Sequence, residues 1–308
     1  MKRDVLQRLK EKILILDGAM GTMLQRENLS SEDFKGGAGN NDILNITRPD
    51  IIEKIHREYI EAGADIIETN TFSSNAISQQ EYGCADLVYE MARKGAEIAR
   101  KAAAGTSVLV AGSMGPTIKM LSFSPDVNRP EYRPVDFDTM AQAYKEQVRG
   151  LVDGGADLLL VETVYDGLNA KAALYAIEQV KREKGCEIPV MVSATINDRS
   201  GRLLSGQRVD ALYTALSHYD IISFGLNCSF GAAELLPFME QLANEAFGGK
   251  GIPCALSMYP NAGLPNELGQ YDETPEFTAK CVKEVAQKAL LNIAGGCCGT
   301  TPDHIRAI

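Results

Sequence analysis

The chain has 308 residues, of which 45% are hydrophobic, and a formal net charge of -10 at pH 7. This length is sufficient for one large domain with a complete hydrophobic core. The acidic charge, without a lysine- or arginine-rich tract, argues against a nucleic-acid binder, and no apolar run approaches the roughly 18–20 residues of a membrane span. The N-terminal residues also lack the apolar core of a signal peptide, so we expect a cytoplasmic protein that contacts neither nucleic acid nor membranes.

Eight short apolar runs predict eight β-strands along the chain. The runs are mainly apolar rather than alternating, a pattern typical of strands that are buried on both faces of a parallel sheet. The predicted strands comprise residues 13–16, 65–68, 108–111, 158–162, 190–194, 221–224, 254–258 and 291–294.

Amphipathic segments with helical periodicity lie between the predicted strands. Two of them lead into a Gly-Ala-Asp tripeptide, at 63–65 and 155–157, where glycine is expected to end the helix. Eight strands that alternate with helices predict a single-domain (β/α)8 (TIM) barrel of the α/β class. A doubly wound open sheet is the alternative, because periodicity does not distinguish a closed sheet from an open one. The predicted helices comprise residues 49–62, 87–103, 136–152, 167–184, 209–217, 232–247 and 274–289.

The residues that follow the predicted strands define a candidate site, since the carboxyl ends of the strands form the active-site face of this barrel. Two connections on this face, residues 18–47 and 112–134, are long, and loops of such length are usually functional. Three carboxylates and three cysteines are expected to converge there: Asp17, Glu68, Glu162, Cys228, Cys297 and Cys298.

The adjacent pair Cys297 and Cys298, which lies between glycines, is suited to present two thiolates to one metal ion. Cys228, after the sixth predicted strand, supplies a third sulfur, and three ligands with one open position are typical of a catalytic zinc. The odd number of cysteines, seven, argues against a disulfide framework. The alternatives are cysteines that pack as small hydrophobic residues, a redox-active pair, or a structural zinc with a fourth ligand from Cys254, His218 or His304.

Zinc on three thiolates is a weak electrophile, but it holds a fourth sulfur as a thiolate, whereas a free thiol with a pKa of about 8.5 is mostly protonated at neutral pH. The matching reaction is alkyl transfer to a thiol. Asp17 and Glu162 would then bind an ammonium group, and the backbone amides around Gly18, Ala19 and Thr163 would bind a carboxylate. Together these groups describe an amino acid that carries a thiol.

The polar residues Asp17, Glu162 and Asn227 also fit purely structural roles. Asp17 also fits a cap at the end of a strand, and Glu162 fits an ion pair on the barrel rim. Asn227 fits either the substrate site, as a partner behind the residues that contact the ligand, or a loop cap.

Four motifs resemble the zinc-dependent homocysteine S-methyltransferases, and the resemblance extends over essentially the whole chain. They are residues 15–22 (ILDGAMGT), 63–72 (GADIIETNTF), 225–228 (GLNC) and 295–300 (GGCCGT). Four more segments are similar to the N-terminal homocysteine-binding module of the cobalamin-dependent methionine synthases: 40–42, 124–128, 168–172 and 260–266.

The resemblance implies a function for the candidate site. Zinc would bind to Cys228, Cys297 and Cys298, the sulfur of L-homocysteine would take the fourth position, and Asp17 and Glu162 would hold its amino group. The methyl group would come from methylcobalamin, which 5-methyltetrahydrofolate recharges, and the product would be methionine. Residues 1–308 would form one homocysteine-binding domain, with cobalamin-binding and folate-binding modules, absent from this chain, as its partners.

The main alternative function is a stand-alone homocysteine S-methyltransferase that uses S-methylmethionine or a betaine as methyl donor. The methionine synthase module requires methylcobalamin as methyl donor, whereas the stand-alone enzyme does not, so this requirement distinguishes the two functions. Two further hypotheses are a non-catalytic scaffold that holds zinc with four protein ligands, and a zinc-free barrel of the aldolase type that tolerates Cys297→Ser.

Overall fold

A computed structural model describes residues 2–248 and 254–308 of the chain. Within these ranges, eight parallel strands form one sheet in which consecutive strands from β2 to β8 are neighbours and β8 pairs with β1. A bridge between Leu16 and Ile66 connects β1 to β2 and closes the ring. The expected (β/α)8 barrel is confirmed, and the doubly wound alternative is wrong. The strands are β1 (Leu14–Ile15), β2 (Ile66–Glu68), β3 (Leu109–Met114), β4 (Leu158–Val164), β5 (Val190–Ala194), β6 (Ser223–Asn227), β7 (Ala255–Tyr259) and β8 (Ile293–Ala294).

Helices occupy the connections between the strands in the described ranges. They are α1 (Lys2–Glu11), α2 (Met20–Leu24), α3 (Leu44–Thr47), α4 (Pro49–Ala62), α5 (Ala76–Gln79), α6 (Val88–Ala102), α7 (Phe137–Asp153), α8 (Gly167–Lys184), α9 (Val209–Leu216), α10 (Ala232–Gly248), α11 (Pro275–Gln287) and α12 (Pro302–Ala307). The sequence predicts α4 and α6 to α11 to within two residues at each end. It does not predict the other five helices, α1, α2, α3, α5 and α12. Three short 3-10 helices comprise Asn41–Ile43, Gln80–Tyr82 and Ala85–Leu87. No helix in this part of the chain has the length and hydropathy needed to cross a bilayer.

The ends of α4 and α8 show why these helices are predicted correctly at both ends. Pro49 occupies the first turn of α4, where no intrahelical N–H donor is needed, and Gly63 ends the helix with φ 106°. Asp166 caps α8 by accepting the amide hydrogen of Leu168 at 2.8 Å, and Gly185 ends it with φ 61°. These are local signals, so the sequence alone reveals them.

Helix α1 covers the N-terminal end of the barrel. Its Val5 and Leu9 are buried in one cluster with side chains from β1 to β5, β7 and β8. Arg8 and Lys12 both reach Asp65, which precedes β2, at 3.3 and 2.7 Å. This end of the barrel is therefore filled by packed side chains, and the C-terminal end remains for a site.

Strands β3, β4 and β6 extend two or three residues further towards the C-terminal end than predicted, to Met114, Val164 and Asn227. β3, β4 and β6 include the polar residues Ser113, Glu162 and Asn227, all of which are buried. Ser113 donates a hydrogen bond to Glu162, and Ser193 donates one to Asn227 at 2.7 Å. Ser113 and Asn227, which are expected beyond their strands, thus lie within them and find polar partners inside the barrel.

Helix α4 buries His56 completely, and neither ring nitrogen has a hydrogen-bond partner among the described residues. Burial lowers the pKa of His56 to about 4, so the folded protein holds a neutral imidazole. In an unfolded chain the histidine pKa is about 6.5, so the unfolded state binds more protons between these two values. The free energy of unfolding therefore falls as the pH drops through this window.

We predict that His56→Leu removes this component of the pH dependence. Between pH 7.5 and pH 5 the wild type should lose about 2 kcal/mol of unfolding free energy that the variant retains. Urea titrations at the two pH values measure the difference. His218→Leu, at an exposed position, is the control and should behave as the wild type. Equal pH dependence of the wild type and His56→Leu would contradict the prediction.

Candidate active site

Three cysteine sulfurs form a cluster at the C-terminal end of the barrel. Cys228 follows β6, and Cys297 and Cys298 follow β8. The Sγ of Cys298 lies 3.8 Å from that of Cys228 and 4.0 Å from that of Cys297, and all three lie within 4.8 Å of one another. A tetrahedral zinc with Zn–S bonds of about 2.3 Å separates its sulfurs by about 3.8 Å. The cysteine triad therefore fits three corners of a zinc site.

The end of strand β7 holds both cysteine loops in place. The amide of Cys228 donates to the carbonyl of Tyr259 at 3.3 Å, and the amide of Cys297 donates to the carbonyl of Pro260 at 2.7 Å. Since β7 lies between β6 and β8 in the ring, one strand end fixes the two loops relative to each other.

Two glycines are required around the cysteine pair. A Cβ on Gly296 would lie 2.4 Å from Oγ1 of Thr300, which donates to the carbonyl of Cys297 at 2.7 Å. A Cβ on Gly299 would lie 2.3 Å from Cγ of Tyr271, and Gly299 has φ 81°. The glycines therefore allow close contacts that position the loop, in addition to its tight turn.

The three thiols differ in their readiness to ionise. The pKa of Cys228 falls to about 3 because Cys297 and Cys298 donate hydrogen bonds to its thiolate. The same interactions raise the pKa of Cys298 to about 11 and that of Cys297 well above its ordinary value. One thiolate forms readily in this cluster, whereas three adjacent thiolates require a bound cation. A set of three thiolate ligands suits zinc.

Three carboxyl groups are enclosed at the same end of the barrel. Burial raises the pKa of Glu162 to about 7 and raises the pKa values of Asp17 and Glu68 well above their ordinary range. Repulsion from Glu162 adds to the increase for both Asp17 and Glu68. Oδ1 of Asp17 and Oε1 of Glu68 have no hydrogen-bond partner within residues 2–248 and 254–308. A cationic ligand would stabilise the ionised carboxylates.

The three sulfurs and the carboxyl groups of Glu68 and Glu162 line a cavity of about 480 Å³. In the described part of the chain, none of the residues that line this cavity is a lysine or an arginine. Asp17 and Asn227 lie behind the wall rather than on it. The expected site residues that do line the cavity are Gly18, Ala19, Glu68, Glu162, Thr163, Cys228, Cys297 and Cys298.

Asn227 acts on the cavity through Thr163. Its Oδ1 accepts the amide hydrogen of Thr163 at 3.1 Å and the hydroxyl hydrogen of Ser193 at 2.7 Å. Its Nδ2 donates to Oγ1 of Thr163 at 2.9 Å and lies 3.9 Å from the Sγ of Cys297. The amide of Thr163 is therefore already paired, and the amide of Ala19 donates to Oγ1 of Thr300 at 3.3 Å. Both contacts correct the expectation that these two amides are free to bind a carboxylate. The hydroxyl hydrogen of Thr163 is the donor that remains.

The chain matches the family model of the homocysteine S-methyltransferases over residues 14–308. It belongs to this family. This confirms the resemblance carried by its motifs. The homocysteine methyltransferase MmuM from Escherichia coli has a similar structure. Its oxidized form is 24% identical, with a TM-score of 0.76 and coverage of 98% of this chain and 97% of that chain. Its metallated form is 25% identical, with a TM-score of 0.73 and coverage of 99% and 97%.

Some residues around the site of this homocysteine S-methyltransferase are not among those expected from the sequence. Tyr271, from the connection after β7, lines the cavity and hydrogen-bonds to Cys298. Asn261 hydrogen-bonds to the sulfur of Cys228, and Asp42 lines the cavity from the connection after β1. Segments 260–266 and 40–42 belong to the motifs described above, so the sequence carries a signal for Asn261 and Asp42. No pattern in the sequence marks Tyr271.

We predict that Asn227→Ala lowers the free energy of unfolding by about 3 kcal/mol, because the Thr163 amide and the Ser193 hydroxyl lose their shared acceptor inside the barrel. Urea denaturation measures the change. Asn197→Ala, at an exposed position after β5, is the matched control and should change stability by less than about 0.5 kcal/mol. A loss no larger than that of the control would show that Asn227 does not hold Thr163 in place.

Proposed function

We propose that this domain transfers a methyl group to the sulfur of L-homocysteine to form methionine, with zinc held by Cys228, Cys297 and Cys298. The observation that carries the proposal is the position of the sulfur triad, which forms part of the cavity wall. Three thiolate ligands leave one coordination position for a substrate sulfur. Membership of the homocysteine S-methyltransferase family supports this acceptor.

The chain's own residues would bind and orient the amino acid. Zinc, when bound, supplies a Lewis acid that favours the deprotonated, nucleophilic form of a substrate thiol at neutral pH. Glu162 and Glu68 on the cavity wall accept the ammonium group, and Asp17 behind them adds negative charge. The backbone amide of Gly18 and the hydroxyl of Thr163 donate to the carboxylate. Because the described part of the wall has acidic but no basic side chains, it attracts the amino end of the substrate.

For the methyl donor we favour a small molecule, S-methylmethionine or a betaine, and hence a stand-alone enzyme. The alignment with MmuM supports this choice because it covers 97% of that chain, which leaves no room there for separate cobalamin-binding and folate-binding modules. Residues 1–308 would form the homocysteine-binding catalytic domain in either case.

Methylcobalamin on a partner module is the second candidate donor, and the exposed surface around the cavity supports it. Large hydrophobic side chains are exposed on the connections that follow the strands, with Val127 at 92% and Leu268 at 83%. Ile118, Leu204 and Leu264 are also exposed there. Exposed apolar side chains supply contact area for a partner protein. A cobalamin-binding module, charged with methyl groups through a folate-binding module, would dock on this face.

We predict that zinc X-ray absorption of the purified domain changes from three sulfur ligands and one lighter atom to four sulfur ligands when L-homocysteine is added. Cys298→Ser should bind zinc about tenfold more weakly or worse, because it removes one thiolate ligand. Cys186→Ser, a partly exposed cysteine outside the triad, is the control. Four sulfur ligands in both states would indicate a structural zinc, and unchanged zinc affinity in Cys298→Ser would remove this residue from the site.

We predict that the zinc-loaded domain forms methionine from L-homocysteine and either S-methylmethionine or glycine betaine without added cobalamin. Mass spectrometry of methionine made from a donor with a deuterated methyl group measures the transfer. Cys297→Ser is the inactive control. Methionine formation from methylcobalamin but not from either small donor would instead support the second candidate.

A further inference from the structure

The cysteine triad lines the same cavity in which the proposed methyl transfer takes place. When zinc is bound, the sulfurs of Cys228, Cys297 and Cys298 are thiolates, as the substrate sulfur is. The thiolate is the nucleophilic form of a thiol, so each of the three could take the methyl group in place of the substrate. Methylation of a cysteine would turn a zinc ligand into a neutral thioether. The domain therefore needs a feature that makes its own sulfurs less reactive than that of the substrate.

Tyr271 supplies such a feature at Cys298. It lines the cavity, and its side chain hydrogen-bonds to the sulfur of Cys298. A phenol is an O–H donor and a thiolate has no proton, so the hydroxyl of Tyr271 donates to the ionised sulfur. The ring packs against Gly299, where a Cβ would lie 2.3 Å from Cγ of the tyrosine. The amide of Ala262, in the same connection, donates to the carbonyl of Cys298 at 2.9 Å. The connection after β7 is therefore attached to the cysteine loop at both the backbone and the sulfur.

A short hairpin holds Tyr271 in this position. Tyr271 forms an antiparallel bridge with Pro265. Within the hairpin, the amide of Asn266 donates to the carbonyl of Gln270 at 2.8 Å, and Nδ2 of Asn266 donates to Oδ1 of Asp272 at 3.1 Å. These contacts tie the two sides of the hairpin together. The position of the phenol is thus set by the connection itself and does not depend on a bound ligand.

The other two sulfurs of the triad also have a side-chain donor from outside it. Asn261 hydrogen-bonds to the sulfur of Cys228, and Nδ2 of Asn227 lies 3.9 Å from the sulfur of Cys297. Both asparagines are buried, whereas Tyr271 lies on the cavity wall, where the methyl donor arrives. Each cysteine sulfur thus has a donor of its own, which a sulfur that arrives with the substrate does not bring.

We propose that the Tyr271 hydroxyl protects Cys298 from methylation and so directs the methyl group to the substrate sulfur; this inference rests on the proposed function. In the reaction that Tyr271 suppresses, a lone pair of the Cys298 thiolate forms an S–CH₃ bond while the bond between the methyl carbon and its leaving group breaks. The electrons of that bond stay with the leaving group. The product sulfur is a thioether, which is a weak acceptor, so the hydrogen bond from Tyr271 is lost along this path. Its loss raises the barrier at Cys298 but not at the substrate sulfur.

The test treats the zinc-loaded protein with deuterated methyl iodide, without and with L-homocysteine, and peptide mass spectrometry measures the methylation of each cysteine. In Tyr271→Phe, which removes only the hydroxyl, Cys298 should be methylated about tenfold faster than in the wild type. Cys186, a partly exposed cysteine outside the triad, is the internal reference and should react equally in both proteins. Tyr82→Phe, which removes the hydroxyl of another tyrosine on the cavity wall, is the matched control and should react as the wild type does.

The zinc content of each protein is measured before the treatment, because thiols that have lost their metal would react for a different reason. If Tyr271→Phe holds zinc too weakly for the comparison, the same measurement on the Cd²⁺-loaded proteins decides, since thiolates favour this softer ion.

The outcomes separate this inference from the proposed function. Equal methylation of Cys298 in the wild type and in Tyr271→Phe would overturn the protective role of the hydroxyl. An equal increase at Cys228, Cys297 and Cys298 would also overturn it, because it would show a general opening of the site. If L-homocysteine does not bind to the zinc-loaded wild type in calorimetry, the proposed function fails. The comparison made without homocysteine still decides whether Tyr271 protects Cys298.

Discussion

Closure of the strand ring is the constraint on which the site depends. The amide of Asp65 donates to the carbonyl of Ile15 at 2.7 Å, and that of Asp17 donates to Ile66 at 2.9 Å, so β1 is held between β2 and β8. Because all strands are parallel, their carboxyl ends meet on one face. The amide of Gly296, next to the cysteine pair, consequently donates to the carbonyl of Asp17 at 3.1 Å, although the two residues lie near opposite ends of the chain. An open sheet would separate these two residues.

The closed ring brings together thiol and carboxyl groups whose ionisation costs free energy in this buried environment. Three thiols and three carboxyl groups share one end of the barrel, and burial or mutual interaction raises the pKa values of all except Cys228. Each cation that binds there lowers this cost for its neighbours as well. A metal on the sulfurs and an ammonium group on the carboxylates therefore support each other electrostatically. The empty site is stabilised less than the filled one, which couples ligand binding to the stability of this end of the barrel.

Local signals in the sequence determine how much of this structure can be predicted. Helices such as α4 and α8 carry their own start and stop residues, so their bounds are predicted correctly. Strands β3 and β6 extend past their apolar runs because Ser113 and Asn227 find polar partners inside the barrel. Such partners come from other strands, and the pattern of a single strand does not contain them. The same holds for Tyr271, whose position depends on the path of the connection after β7 and on its contact with Gly299.

Backbone strain is concentrated where the site needs it. Among the described residues, five non-glycine residues have positive φ, and three of them, Thr163, Cys228 and Ser229, lie at the site. In a regular strand successive side chains point to opposite faces, so Glu162 and Thr163 would not both reach the cavity. The left-handed conformation of Thr163, beside the register shift between Val161 and Val164, lets both residues line it.

The same argument applies to Asn227 and Cys228, which are consecutive and both contact the sulfur cluster. Each left-handed residue costs about 1–2 kcal/mol. Asn227 offsets part of this cost through its two hydrogen bonds to Thr163, and the amide of Phe230 does so through its 2.7 Å hydrogen bond to the carbonyl of Cys228. If the side chains of Thr163 and Cys228 only filled space in the core, a regular strand end without left-handed residues would be sufficient. Its presence at two strand ends therefore indicates that the direction of these side chains, towards the sulfurs and the cavity, is what the local structure maintains.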